Sequence, residues 1–162
     1  MENRRRAAAR SAALRAAPRR ARRQALIVDD ESEFAELVAM WFRSAGWTAQ
    51  VAEDGTAAMT LLADRRIDLV ITDLQMSGMN GWELLRHLRS RWGGDIMRPH
   101  QPTHIVVVSG RTESDVARFA CALGADAFLR KPVDRDTLFD TVTALFEPKQ
   151  QPHGRPAARR GL

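Results

Sequence analysis

One cysteine, four histidines and no long apolar run set the first limits on this chain of 162 residues. A single thiol, Cys121, excludes a disulfide framework and a thiolate metal cluster and fits a reducing compartment. His87, His100, His104 and His153 show no metal-ligand spacing, so a histidine-built zinc site is not expected. Nothing approaches the roughly 20 consecutive apolar residues of a membrane-spanning helix, so a soluble, cytoplasmic protein is expected. No segment recurs at a fixed period, which sets aside solenoids and propellers.

What is present suits one packed domain: hydrophobic residues make up 44% of the chain and charged residues 28%. The net charge of +5 conceals an asymmetry. Nine arginines against Glu2 give Met1 to Ala25 a charge of +8, and Glu147 to Leu162 carries +3, which leaves −6 on the body between them. Residues 1–23 are mainly arginine and alanine with no apolar face to dock on a core, so they read as a basic, disordered or fraying arm. Residues 147–162 read as a basic tail rich in proline and arginine. Three readings of the arm stay open: an inert extension, contact with nucleic-acid phosphates that would weaken steeply with salt, or docking on an acidic partner or membrane surface.

Between these extensions, residues 24–146 alternate short apolar runs with amphipathic helical patterns five times over, the mark of a doubly wound α/β sheet with five strands and five helices. The strands are expected at Ala25 to Val28, Thr48 to Ala52, Leu69 to Thr72, His104 to Val108 and Ala127 to Arg130. Helical spacing predicts that Phe34, Leu37, Val38, Trp41 and Phe42 line the buried side of the first helix. In the fourth helix the same role falls to Val116, Phe119, Ala120 and Leu123, and in the last to Leu138, Val142 and Leu145. Ser32 and Gly46 bracket the first helix, Asn80 and Glu83 form a capping box, Gly124 ends the fourth helix and Asp134 caps the fifth. Gly93 to Thr103, with two glycines and two prolines, reads as a surface insertion.

Open parallel sheets bind ligands beyond the carboxyl ends of their strands, where strand order reverses. Polar residues stand at those ends here: Asp29 and Asp30 after the first strand, Asp73 after the third, Ser109 after the fourth and Lys131 after the fifth. Three neighbouring carboxylates raise one another's pKa unless a cation keeps them ionised. Oxygen-only ligands favour Mg²⁺ for that role. A lysine ammonium and a serine hydroxyl beside the acids would meet the charge of an incoming phosphoryl group, which makes Asp73 the central nucleophile candidate.

VDDE at Val28 to Glu31, ITDLQMSGMNGWELL at Ile71 to Leu85, VVVSG at Val106 to Gly110 and GADAFLRKPV at Gly124 to Val133 together resemble the receiver domain of two-component response regulators. The resemblance spans Gln24 to Phe146 and implies a flavodoxin-like, CheY-like fold with strand order 2-1-3-4-5. It implies that Asp73 is phosphorylated, that Asp30, Asp73 and the backbone carbonyl of Gln75 ligate Mg²⁺, and that Asp29 holds the metal through water. It also implies that Lys131 pairs with the phosphoryl group and is joined to Pro132 by a cis bond. Ser109 would move toward that group and Phe128 would follow inward, which remodels an output face of fourth helix, fifth strand and fifth helix. Gln75 and Arg111 occupy positions that tune dephosphorylation in the family.

Ser77 departs from the family pattern, which often has proline there, so the rigidity of that loop is not implied. The resulting expectation is a stand-alone receiver, not an enzyme beyond Mg²⁺-dependent self-phosphorylation and self-dephosphorylation. It would accept phosphate from a sensor histidine kinase or phosphotransfer protein and act on a downstream protein. A nucleic-acid-associated regulator using the basic arms is the alternative. A haloacid-dehalogenase-type phosphatase would need a second acid two residues beyond the nucleophile, where this chain has Gln75.

Overall fold

Successive side chains of a strand point to opposite faces, so a strand that is apolar throughout must be covered on both sides. The first strand, β1 (Gln24–Val28), meets that demand: Ala25 and Ile27 pack into one apolar layer, Leu26 and Val28 into the other. The structure, a computed structural model, describes residues 22–92, 103–111 and 114–147. In these the elements run β1, α1 (Ser32–Ser44), β2 (Thr48–Ala52), α2 (Gly55–Asp64), β3 (Leu69–Thr72), α3 (Gly81–Trp92), β4 (His104–Ser109), α4 (Ser114–Ala122), β5 (Ala127–Arg130) and α5 (Arg135–Phe146). All strand pairs are parallel and the order is β2-β1-β3-β4-β5, as the sequence led us to expect.

Helices cover both faces of the sheet. On one side Ala58 and Leu62 of α2, Leu84, Leu85 and Leu88 of α3 and Val116 and Ala120 of α4 close over Leu26, Val28, Val70 and Val107. On the other, Ala35, Val38, Ala39 and Phe42 of α1 and Leu138 and Val142 of α5 close over Ile27, Leu69, Ile71 and Val106. Full burial of side chains this large is worth roughly 1.5–3 kcal/mol each, so two covered faces hold the register of the whole sheet. Phe42 is the hub of the second layer, stacked on Phe139 at 4.8 Å and edge-on to Trp47 at 5.2 Å.

The expected caps mostly form. Asn80 and Glu83 exchange hydrogen bonds of 3.1 and 3.0 Å, Asp134 accepts from the Thr137 N–H at 2.8 Å, and Gly46 and Gly124 adopt positive φ of 87° and 109°. Three expectations need correction. Ser32 is the first residue of α1 and Glu31 stands at its N-cap without a side-chain cap bond. Leu37 is 41% exposed and Phe119 64% exposed. In α1 the alanines at 35 and 39 let the helix sit close to the sheet, so the buried arc centres on 35, 38, 39 and 42 and turns Leu37 outward.

The insertion from Gly93 to Pro102 lies outside the described residues, as do the arm through Ala21, the tail from Pro148, His100 and His153. Arg23, the last residue of the expected arm, touches the folded domain. Its guanidinium lies 4.3 Å from the centre of the Phe146 ring and its carbonyl accepts from the Thr48 N–H at 2.9 Å. Among the described residues no helix is long and apolar enough to cross a membrane.

Candidate functional site

The sheet order reverses between β1 and β3, whose connections run to opposite sides, and this opens a crevice at their carboxyl ends. Ladder hydrogen bonds continue one residue past both strands. The Asp29 N–H donates to Ala52 O at 3.1 Å and the Asp73 N–H to Val28 O at 3.0 Å, which sets the two aspartates side by side. Lys131 reaches them from the end of β5, its own N–H held by Ser109 O at 2.9 Å, and its bond to Pro132 is cis.

Lys131 Nζ is the centre of the cluster. It donates to Asp29 Oδ2 at 2.8 Å and to Asp73 Oδ2 at 3.1 Å, with Glu31 Oε2 at 3.8 Å. The remaining carboxylate oxygens are held by backbone: Asp29 Oδ1 accepts from the Glu31 N–H at 2.9 Å, and Asp73 Oδ1 from the N–H groups of Leu74 and Gln75. Burial pushes the Asp29 carboxyl above its ordinary value and the Asp73 charge adds to this, against the pull of Lys131 and the Glu31 N–H. Burial works to lower the Lys131 pKa, but its two carboxylate partners outweigh it and hold the ammonium above its ordinary value.

Asp30 stands apart from the lysine-centred pair. Among the described residues no three acidic, histidine or cysteine side chains gather as a metal-binding group. The Asp30 carboxylate turns away from the lysine to the loop after β3, where Oδ2 accepts from the Ser77 N–H at 2.9 Å and from its hydroxyl at 3.4 Å. It lines, with Leu74, Gln75, Met76, Asn80, Trp82 and Arg111, an open cleft of about 500 Å³ next to the loop that follows Asp73. Ser109 is fully buried at the end of β4 and its hydroxyl oxygen accepts from the Arg111 N–H at 3.4 Å. Phe128 is half-buried and packs against the layer formed with α2, α3 and α4.

Three residues with a part in this geometry were not singled out for it from the sequence. Gly81 lies against the Asp73 backbone, Ser77 holds Asp30, and Phe34 presents its ring to Lys131. Gly81 sits inside the quoted motif but carries no chemistry to flag it. Ser77 showed only as a departure from pattern, and Phe34 was absorbed into the apolar stripe of α1.

Residues 25–143 match the family profile described as the response regulator receiver domain. The chain belongs to the response-regulator receiver family. This receiver is 39% identical over 127 residues to the Regulator of RpoS of Escherichia coli K12, an alignment covering 78% of this chain and 35% of that protein. It is 32% identical over 123 residues to the DNA-binding response regulator MtrA of Mycolicibacterium paratuberculosis, covering 76% of this chain and 51% of that one. The chain thus spans about a third to a half of these curated relatives. Among solved structures, the chemotaxis protein CheY4 of Vibrio cholerae superposes with a TM-score of 0.67 at 27% identity, over 76% of this receiver and 98% of that chain.

Phosphoryl acceptance with Mg²⁺ is general to receivers, and the residues here fit that ion. The donors at the crevice are hard oxygens without thiolate or imidazole among the cleft lining. Three carboxylates, Asp29, Glu31 and Asp73, surround one ammonium, with Asp30 nearby on the Ser77 backbone, so acids outnumber the cation that offsets them.

Proposed function

We propose that this receiver takes a phosphoryl group on Asp73 from a sensor histidine kinase or phosphotransfer protein in a cytoplasmic phosphorelay, and passes the signal on by contact with a downstream protein. The observation that carries the reading is the shared lysine: one ammonium spans Asp29 and Asp73 at 2.8 and 3.1 Å, in a crevice where the Asp73 side chain keeps 11% of its surface open. Asp73 Oδ1 is polarised by two backbone N–H groups, so the carboxylate is held in one orientation for attack.

In the transfer, a carboxylate oxygen of Asp73 bonds to phosphorus as the donor's P–N bond breaks, and the electron pair stays on the departing imidazole nitrogen. Lys131 exchanges its bond to Asp73 for one to a phosphoryl oxygen and so stabilises the charge being transferred. Asp29, Asp30, Asp73 and the Gln75 carbonyl would hold Mg²⁺, which supplies further positive charge to the phosphoryl oxygens. Ser109, buried behind the crevice, donates its hydroxyl to a phosphoryl oxygen, and Phe128 follows inward to reshape the face of α4, β5 and α5. A charge of about −1.5 to −2 added at neutral pH is enough to drive such a two-state change.

The test is incubation with Mg²⁺ and a small acyl phosphate, comparing wild type with Asp73→Asn by phosphate-affinity electrophoresis. Label on wild type alone supports the assignment, and equal label on both proteins refutes it.

One observation favours a second reading, a nucleic-acid-associated regulator. Arg23 stacks on Phe146, so the roots of both basic extensions meet at the pole of the sheet opposite Asp73. Deletion of residues 1–21 with unchanged nucleic-acid affinity eliminates it.

A further inference from the structure

The ammonium of Lys131 has a partner that is neither an acid nor a backbone group. Its nitrogen lies 4.4 Å from the centre of the Phe34 ring, within the range in which an aromatic face attracts a cation. Phe34 comes from the first turn of α1, two residues into the helix that follows the Asp29–Asp30 pair. Its ring is half-buried and seated on the apolar layer under α1 and α5, so packing fixes where its face points. Two of the three ammonium protons are taken by Asp29 and Asp73, and Glu31 stands off at 3.8 Å.

We propose that Phe34 is a positioning residue for Lys131: its ring face steadies the ammonium beside Asp73 without adding negative charge to a site that must receive a phosphoryl group. The inference rests on Asp73 being the acceptor. A third close carboxylate would hold the lysine as firmly, but it would repel the incoming phosphate and deepen the charge excess already present at the crevice. A neutral ring attracts the cation and has no preferred hydrogen-bond direction. Lys131 therefore can turn from the Asp73 carboxylate to a phosphoryl oxygen while keeping the same neighbour. The ring also covers part of the lysine, whose side chain is 18% exposed, and so keeps water from competing for it.

The full chain is tested as Phe34→Leu, which keeps apolar bulk and removes the ring, and Phe34→Tyr, which keeps the ring; Phe34→Met replaces the leucine variant if that one does not fold. With an acyl phosphate donor and Mg²⁺, the leucine variant is expected to label about three- to tenfold more slowly than wild type, and the tyrosine variant to recover most of that loss. Two readouts need no phosphorylation. The Lys131 ε-methylene proton resonances should sit upfield in wild type and return toward ordinary positions in Phe34→Leu. In urea unfolding, Phe34→Leu and Lys131→Ala should be non-additive in the double variant. Wild-type labelling in Phe34→Leu, no rescue by tyrosine, or additive unfolding each overturns the proposal. If wild type takes no label, the acceptor assignment fails, and the proton shifts and the coupling alone decide whether Phe34 and Lys131 are paired.

Discussion

Gly81 and Asp73 meet backbone to backbone: a β-carbon built on Gly81 would overlap the Asp73 carbonyl oxygen. The Gly81 N–H also donates to Leu74 O at 3.2 Å, so the first turn of α3 is fastened to the loop after β3 with no space between. Gly81→Ala must push that loop aside. The expected cost is about 1–3 kcal/mol in urea unfolding, with slower labelling of Asp73 even where the variant is fully folded. Wild-type labelling would mean that the loop tolerates the shift.

Lys131→Ala leaves Asp29 buried beside Asp73 with no cation between them, at a cost of order 2–3 kcal/mol at neutral pH, reduced from a fully buried pair because the crevice is open to water. The Asp29 carboxyl is already raised above 3.8 in the wild type, so its contribution is most favourable below 3.8 and is lost as pH rises through the folded value. Removal of the lysine raises it further. The stability gap between wild type and Lys131→Ala should therefore widen from acid toward neutral pH in a series of denaturation curves. A gap independent of pH would deny the pairing.

Asp134 has the opposite sign. Hydrogen bonds from the Thr137 N–H and hydroxyl hold its pKa below 3.8, so its contribution is present above 3.8 and fades as pH falls through the folded value. Asp134→Ala should lower the thermal midpoint at pH 7, and the two midpoints should converge in strong acid. Persistent separation there would show that the charge is not what the cap relies on.

Ser77→Pro removes the N–H that holds Asp30 away from the lysine cluster. The freed carboxylate should bind Mg²⁺ roughly fivefold more tightly, about 1 kcal/mol, because one charge-assisted hydrogen bond no longer competes with the ion. Trp82 lines the same cleft, so its fluorescence can follow the titration. Weaker binding in the variant would place the value of Ser77 in shaping the loop rather than in restraining Asp30.

Much of the fold could be read along the chain because its signals are local. Strands buried on both faces demand nearly unbroken apolar runs, and Leu69 to Ile71 supplies one for β3. The caps at Asn80 and Asp134 form between residues three apart, which sequence displays directly. The failures were matters of degree around a helix. Spacing shows that Leu37 and Phe119 lie near an apolar face, but the width of the buried arc depends on how closely a neighbouring layer approaches.

The site divides along the same line. Sequence by itself determined which groups stand at the strand ends, and hence carboxylates, an ammonium and a hydroxyl at one edge, because parallel strands deliver whatever follows them to the same side of the sheet. Only the tertiary structure decided how those groups pair: Lys131 between Asp29 and Asp73, Asp30 drawn off to Ser77, and Phe34 set against both the core and the lysine. These contacts join residues as far as 102 positions apart, with distances of a few ångströms set by packing from both faces of the sheet, and no local pattern encodes them.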